Sequence, residues 1–350
     1  KMLPKIHVDL KKYAHNVNHL TQELHERNIT VMAVSKVYHG DQNIVNVLNA
    51  SDVDYIADSR IQNLQNMKTT KPRVLLRIPK LSETDDVVMH ANISLNSEIG
   101  TIRKLNQSAE KMDCVHGIVL MFDIGDLREG IYYKEDYMSV VEEIYQLKHV
   151  RLEGIGTNLT CYGGVIPEEQ TYDKLYSIKN SIESRLNIKL NLISGGNSSS
   201  LFLALNQKLP KFINNLRIGE ALVLGRETAY GKSLYYMFDD IFTLEAEIIE
   251  IKDKPSMPEG VLGMDAFGKP VKFEDRGVTT RAILSIGKQD VDAHDLIPPK
   301  GVAILGCSSD HLIVQISKLD YQLGDTITFK MTYGGILSLM TSPYVEKSYE

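Results

Sequence analysis

The residue best suited to chemistry is Lys36, which follows the apolar run at residues 29–34 in ITVMAVSKVYHG. β-Branched residues in this run predict a buried parallel strand, and parallel α/β folds place their chemistry at the carboxyl ends of such strands. A lysine walled by Met32, Ala33 and Val34 is expected to be partly desolvated, which favours the neutral amine used in Schiff-base chemistry. The alternative is a lysine that merely ends a strand and extends to water.

Two later segments have the composition of an anion site. They are the serine-rich run SGGNSSS, residues 194–200, and RIGEA, residues 217–221. Glycines let backbone N–H groups approach a phosphate closely, and serine hydroxyls add donors. A serine-rich helix cap is the alternative, but a cap explains one or two serines rather than the whole run.

The elements that would position these residues alternate regularly over the first 230 residues. Eight strand-like segments, separated by helical patterns, lie at residues 29–36, 53–59, 72–78, 93–97, 115–123, 151–158, 189–196 and 215–221. Their number and spacing predict an α/β fold, a (β/α)8 barrel of the TIM type. The alternative is an open doubly wound sheet, but no G-x-G-x-x-G opens the first helix.

The predicted barrel places the lysine and the anion segments at one end. Barrel enzymes commonly hold a phosphate in the loops that follow strands seven and eight. A lysine after strand one that faces such loops has the layout required by pyridoxal 5′-phosphate (PLP). We therefore expect a PLP-binding barrel over residues 1–230, although the N-terminal strand could join the second domain.

A second domain is predicted at residues 231–350. Short strand-like segments such as TTRAILSIGKQD, HLIVQIS and DTITFKMTYGG are separated there by Pro, Gly and Asp turns. This texture is typical of an antiparallel β-domain.

Composition narrows the range of partners and compartments. The net charge of −6 is spread evenly, so neither nucleic acid nor a membrane surface is expected as a partner. The expected partner is a small-molecule substrate. The three cysteines, Cys114, Cys161 and Cys307, are far apart, which favours a reducing cytoplasm over a disulfide framework. No apolar run reaches membrane-spanning length.

Five motifs in order resemble the alanine racemase superfamily, PLP enzymes with a barrel and a C-terminal β-domain. They are AVSKVYHG, MFDIGDLREG, EGIGTN, SGGNSSS and LRIGEALVLG. Within the superfamily, VDYIADSRIQNL, NLTCYG, GMDAFG and SSDHLIV are most similar to the ornithine racemase branch. The resemblance implies an enzyme that interconverts L- and D-enantiomers of a basic amino acid such as ornithine. It also implies a homodimer whose active sites are shared between subunits.

The resemblance implies roles at matching positions. Lys36 would carry the cofactor as a Schiff base and act as one racemising base, and Arg217 would bond the pyridine nitrogen. Arg128 would lie near the ring hydroxyl and the substrate carboxylate, while Asn158 stands beneath the ring where the family has a histidine. The other cofactor-binding positions, for the phosphate or the site entrance, are Tyr38, Asn197, Ser198, Ser199, Gly219, Glu220 and Tyr344.

The second base is the main departure from the family. Alanine racemases place a catalytic tyrosine early in the β-domain, whereas GMDAFG has Phe267 at that point. Phenylalanine cannot exchange a proton, so Asp265, two residues away on the same strand face, is the expected base. Cys307 and His311 are its rivals. The alternative for Asp265 is a turn before Gly268.

The substrate carboxylate is expected near Ser309 and Asp310, together with Arg128. Arg128 also has an alternative, a surface ion pair with Asp126 or Glu129.

Other functions of the superfamily stay open at this point. An alanine racemase is one alternative, and a PLP-dependent decarboxylase of basic amino acids is another, although its Cys-Asp pair is separated here into Cys307 and Asp310. A non-catalytic PLP carrier would have the barrel alone. A metal-assisted dehydratase or aldolase would use Cys307 and His311, but two ligands make a weak site, so no metal is expected.

Overall fold

The structure, a computed structural model, describes residues 3–350 and divides them into two units. The barrel unit spans Lys11–Asp239, and the C-terminal unit combines Asp240–Glu350 with the residues up to Leu10. The first strand, β1 (Lys5–Val8), therefore belongs to the C-terminal unit.

Parallel strands alternate with helices along the barrel unit. The strands are β2 (Thr30–Val34), β3 (Tyr55–Asp58), β4 (Arg73–Leu75), β5 (Ile93–Asn96), β6 (His116–Asp123), β7 (Ile131–Tyr132), β8 (Val150–Gly156), β9 (Leu192–Ser194) and β10 (Asn215–Ile218). The helices are α1 (Leu10–His25), α2 (Gln42–Asn49), α3 (Ile61–Asn66), α4 (Thr84–His90), α5 (Ile99–Lys111), α6 (Met138–Gln146), α7 (Asp173–Leu186), α8 (Leu201–Leu205) and α9 (Glu220–Leu224).

The parallel sheet of this unit closes on itself. Its order is β5-β4-β3-β2-β10-β9-β8-β6, and β5 also pairs with β6, while β7 extends β6 outside the ring. The eight-stranded closed barrel confirms the predicted fold, and the open doubly wound sheet is wrong. A sheet without edges satisfies every strand's backbone groups within the ring.

Apolar side chains from the strands fill the barrel. The strand β2 is buried along most of its length, as expected for a parallel strand covered on both faces. The buried cluster consists of Met32, Val34, Ala57, Val74, Ile93, Leu95, Val119, Met121 and Leu192. Packing is tight enough that a Cβ at Gly154 on β8 would lie 1.7 Å from the carbonyl oxygen of Leu192, so only glycine fits there.

The outer helices bury one stripe each. In α1 the buried apolar residues Tyr13, Val17, Leu20 and Leu24 recur at helical spacing, which directs them toward the strands. None of the helices within residues 3–350 has the length and apolar character needed to cross a bilayer.

The C-terminal unit is built on an antiparallel sheet, as predicted. It contains β11 (Phe242–Pro255), β12 (Val278–Leu284), β13 (Leu296–Ile297), β14 (Ala303–Cys307), β15 (Leu312–Gln315), β16 (Thr326–Met331), β17 (Glu346–Tyr349) and the helix α10 (Tyr333–Thr341). The order is β13-β16-β11-β12-β15-β14, and β1 lies between β11 and β17, antiparallel to the first and parallel to the second. In β11, alternate residues from Phe242 to Ile248 are buried, which is the period of a strand with one covered face.

An exposed arm, residues 256–277, connects β11 to β12. The Ser256 N–H donates to the Gly277 carbonyl at 2.9 Å and closes the base of the arm. Nearly all its residues are exposed, among them six large apolar side chains: Met257, Val261, Leu262, Met264, Phe267 and Phe273.

Candidate active site

Lys36 lies just past the carboxyl end of β2. The strand ends at Val34, and Lys36 begins a single 3-10 turn that runs to Tyr38. The residue before it, Ser35, is buried and donates to the Asp58 carboxylate at 2.7 Å. Lys36 itself is exposed, so the expected desolvation by the strand is wrong for this chain. The reason is that Lys36 stands on a turn beyond the apolar run and not within it.

Asp58 organises the backbone beside this turn. Besides Ser35, the carboxylate accepts from the Arg60 N–H at 2.9 Å and from Asn63 Nδ2 at 3.0 Å. Burial raises the pKa of Asp58, and these bonds to the carboxylate oppose that rise. Asp58 therefore ties the end of β3 to the segment that presents Lys36.

Tyr38 is fully buried at the end of the lysine's turn. Its hydroxyl lies 2.8 Å from the hydroxyl of Tyr13 on α1, and the two rings meet edge to face. Burial raises the pKa of Tyr13, so this residue stays a neutral hydroxyl. No signal in the sequence indicated this contact between Tyr13 and Tyr38, a predicted phosphate ligand.

The structure brings the two predicted anion segments together. Asn197 caps the turn Ser198–Ser200 by accepting from the Ser199 N–H at 2.8 Å, and Gly196 before it has a φ of +137° that favours glycine. The Ser198 hydroxyl accepts from the Ala221 N–H at 3.2 Å, which joins the loop after β9 to the start of α9.

The donors in these loops fit a phosphate group. Helix α9 begins at Glu220 without a side-chain cap, and Gly219 precedes it. Within residues 3–350, no protein group accepts from the backbone N–H of Ser198, Gly219 or Glu220. Backbone N–H groups at a helix start, together with serine hydroxyls, form the donor set that phosphates use. The residues present therefore fit the phosphate of PLP.

The lysine and these loops leave the barrel at the same end. Strand β10 pairs in parallel with β2, so that Ile218 lies beside Ala33. The residues that follow each strand, Lys36 and Gly219 among them, therefore lie at the carboxyl edge of two neighbouring strands.

Arg217 is a buried cation on β10. It is only 4% exposed, and it donates to the Ser194 hydroxyl, to the Thr157 carbonyl at 2.7 Å and to Asn158 Oδ1. Burial lowers the pKa of Arg217 to about 10. A guanidinium with this pKa keeps its protons at neutral pH, so Arg217 can donate hydrogen bonds without giving up a proton.

Arg128 is paired with its neighbour along the chain. Its Nε and Nη2 donate to the two carboxylate oxygens of Glu129, with Nη2 at 2.8 Å from Oε1. The alternative that named Glu129 as its partner is thus the arrangement in this chain. Asn158 donates to the same carboxylate and accepts from Arg217.

Asp126 has a different role from the one considered in the sequence. Its carboxylate accepts from four backbone N–H groups, those of Thr160, Cys161, Tyr162 and Val165, at 2.9–3.1 Å. Although burial opposes ionisation, these bonds hold the pKa of Asp126 below its usual range. Asp126 therefore anchors the loop at residues 159–165. The signal in the sequence was an acidic residue in FDIGDLREG, the glycine-containing segment at the end of β6.

The candidates in the C-terminal unit occupy two turns. Asp265 accepts from the backbone N–H groups of Lys269 and Phe267, which lower its pKa, so the turn considered as its alternative is present. Burial raises the pKa of the Cys307 thiol, which donates to the Ser308 carbonyl at 3.1 Å.

The remaining C-terminal candidates lie in the same unit. The turn between β14 and β15 carries Ser309, Asp310 and His311, and the Ser309 hydroxyl donates to the Asp310 carboxylate at 3.0 Å. Tyr344 is exposed after α10. Within residues 3–350, no group of three or more His, Cys, Asp or Glu side chains is arranged to hold a metal ion.

A closed parallel barrel that ends one strand in a lysine and the last two strands in phosphate-type loops defines a class: barrel enzymes that carry PLP on a lysine. The model of the family described as "Alanine racemase, N-terminal domain" matches residues 8–227. The chain belongs to the alanine racemase family, and it is a PLP-dependent amino-acid racemase.

Two curated relatives match along almost the whole chain. The ornithine racemase of Acetoanaerobium sticklandii is 45% identical over 350 residues, 99% of each chain. The lysine racemase of Thermotoga maritima is 38% identical over 352 residues, 99% of this chain and 98% of the relative.

Solved structures share the fold at lower identity. An alanine racemase of Clostridium difficile has a TM-score of 0.75 at 20% identity, over 99% of this chain and 96% of that one. An alanine racemase of Bartonella henselae, solved with covalently bound pyridoxal phosphate, has a TM-score of 0.75 at 16% identity over 100% of both chains.

Proposed function

We propose that this protein interconverts L- and D-ornithine. The observation that carries the proposal is the 45% identity to an ornithine racemase over 99% of both chains, compared with 38% to a lysine racemase. Both relatives act on amino acids with a cationic side chain, according to their names. Lysine is therefore the second candidate substrate, and alanine is expected to be a poor one.

The barrel residues have separate tasks in this reaction. PLP, when bound, stabilises the negative charge that develops at the substrate Cα. The Lys36 amine is positioned at a strand end to carry the cofactor and to move a proton at Cα on one face. Arg217 donates to the ring nitrogen position and, because it retains its protons, leaves that nitrogen unprotonated. The loops of Ser198 and Gly219 bind the phosphate through N–H and hydroxyl donors.

We propose Asp265 as the second base. Racemisation by two bases needs a proton-exchanging group on each face of the substrate Cα, and Lys36 can serve only one face. Asp265 is the ionisable side chain two residues from Phe267, which stands where the family has its catalytic tyrosine. Cys307 and His311 are the alternatives.

The substrate is tested by incubating each L-amino acid with the protein and PLP in D2O, followed by chiral analysis and mass spectrometry. We expect ornithine to become racemic with deuterium at Cα, at least tenfold faster than alanine, about 1.4 kcal/mol in transition-state binding. If alanine is turned over as fast as ornithine, the proposal that ornithine is the preferred substrate is wrong. Release of carbon dioxide would indicate a decarboxylase, and no exchange with any amino acid would indicate a carrier.

We infer a homodimer from the exposed arm, residues 256–277. Its apolar side chains, among them Val261 and Phe273, form a larger exposed set than scattered surface residues would. Closed twofold dimers are the commonest way in which soluble proteins cover such a surface. The occupant that we propose is therefore a second copy of this chain.

We propose the cytoplasm as the compartment. The three cysteines, Cys114, Cys161 and Cys307, are all free thiols in the structure, which supports a reducing environment. Trapping the thiols with an alkylating agent in intact cells is the test. Oxidised thiols in freshly trapped protein would contradict the proposal.

A further inference from the structure

Among residues 3–350, no carboxylate contacts the buried Arg217 directly. Its three acceptors are the Ser194 hydroxyl, the Thr157 carbonyl and Asn158 Oδ1, all of them neutral. A buried charge is costly unless it is paired and hydrogen-bonded. Among the charged groups around Arg217, Glu129 raises its pKa most, so this carboxylate supplies the compensating charge without direct contact.

Asn158 is the neutral group that reaches a charge. Its Oδ1 accepts from Arg217, and its Nδ2 donates to Glu129 Oε1. An amide has one accepting and one donating end, so a cation on one side and a carboxylate on the other permit a single orientation. Glu129 and Arg217 together therefore fix the orientation of the Asn158 amide.

Glu129 meets both arginines of the site. It binds Arg128 through two parallel hydrogen bonds and Arg217 through the Asn158 amide. The Glu129 side chain is 17% exposed, so its charge is only partly screened. Although burial opposes ionisation, Arg128 holds the pKa of Glu129 below its usual range. The carboxylate is therefore charged throughout the neutral range.

We propose that Glu129 is a positioning residue for the cofactor, a counter-ion shared by Arg128 and Arg217 that acts on Arg217 by orienting Asn158. Loss of the carboxylate charge releases the amide and leaves Arg217 buried without compensation. The guanidinium then presents its donors to the ring nitrogen less well. The inference rests on PLP-dependent racemisation but not on which amino acid is the substrate.

The test measures PLP affinity and the visible absorbance band of the bound cofactor at one fixed pH, both without amino acid. We expect Glu129→Gln, which keeps the shape and removes the charge, to weaken PLP binding at least about tenfold and to shift the band. Glu143→Gln is the matched control, because Glu143 makes the same two-bond pair with the exposed Arg103, away from the site. The control is expected to leave both quantities unchanged.

A double-mutant cycle with Asn158→Ala distinguishes the amide-mediated route from a general loss of structure. If Glu129 acts through Asn158, the double variant binds PLP no worse than the weaker single variant. Losses that multiply, or a Glu129→Gln protein with wild-type affinity and band, would overturn the inference. Wild-type protein that binds PLP but leaves ornithine unchanged would disprove the substrate and not this inference, since neither readout involves an amino acid.

Discussion

At the scale of single residues, the Lys36 amine carries the central role. Lys36→Ala is expected to remove the visible absorbance of the Schiff base and all α-hydrogen exchange, because alanine has no amine to bond the cofactor covalently. Absorbance and deuterium exchange measure the two effects. Lys208→Ala, another exposed lysine, should change neither. Covalent PLP in the Lys36 variant would contradict the role.

Asp265 can be tested without disturbing its turn. In Asp265→Asn the amide oxygen still accepts from the Phe267 and Lys269 N–H groups, so folding and PLP binding should be retained. Removing a positioned base is expected to slow racemisation by about 10²–10⁴-fold, as measured by chiral analysis. Should the variant stay active, Cys307→Ser and His311→Gln would decide which rival is the base.

At the scale of elements, Asp126 is the anchor of the loop at residues 159–165. In Asp126→Asn an NH2 group replaces one accepting oxygen and faces backbone donors, which should cost about 1–3 kcal/mol. The Leu159 carbonyl accepts from Asn197 and Ser199, so PLP affinity should fall together with loop order. Hydrogen exchange of this loop and PLP titration check the prediction. Unchanged exchange in the loop would contradict it.

The start of strand β6 makes stability depend on pH. His116 is 1% exposed and its Nε2 lies 2.8 Å from the Ser94 hydroxyl; burial lowers its pKa to about 4. In the unfolded chain this imidazole takes up a proton near pH 6.5, so the contribution of neutral His116 to the free energy of unfolding is fully present above that pH. It is lost as the pH falls toward 4, by about 3 kcal/mol.

Chemical denaturation at several pH values tests this dependence. His116→Gln should flatten the acid limb of the stability profile, since glutamine keeps a polar partner for Ser94 and does not titrate. His294→Gln, at an exposed histidine, should leave the limb unchanged. If the free energy of unfolding falls equally steeply with falling pH in both variants, His116 is not the responsible group.

The eight barrel strands could be read from the sequence because each is a short buried apolar run with a polar boundary. Lys36 and the serine-rich loop followed from their places at strand ends. The partners of Arg217 and Tyr38 could not be read, because they depend on which side chains neighbouring strands and helices bring together. The choice of Arg128 between Asp126 and Glu129 likewise required coordinates, since all three lie within four residues.

At the scale of the whole molecule, we expect polar substitutions in the exposed arm to weaken the proposed dimer. Replacing Val261 and Phe273 by serine removes apolar area from both copies and should raise the dimer dissociation constant at least about a hundredfold. Sedimentation equilibrium measures it. Leu319→Ser, at an exposed leucine outside the arm, is the control. A fully active monomer at micromolar concentration would contradict the proposed dimer.

Strand β1 has a consequence for synthesis on the ribosome. It pairs through Val8 with Phe242 on one side and Tyr349 on the other, so it emerges before either partner exists. The barrel unit is a continuous segment inserted between β1 and β11, and it can fold before β1 has a strand to pair with. The C-terminal unit is completed last, when β17 leaves the ribosome. Translation therefore sets the order in which the two units mature, and a nascent chain arrested before β11 contains the whole barrel segment and a first strand without either of its partners.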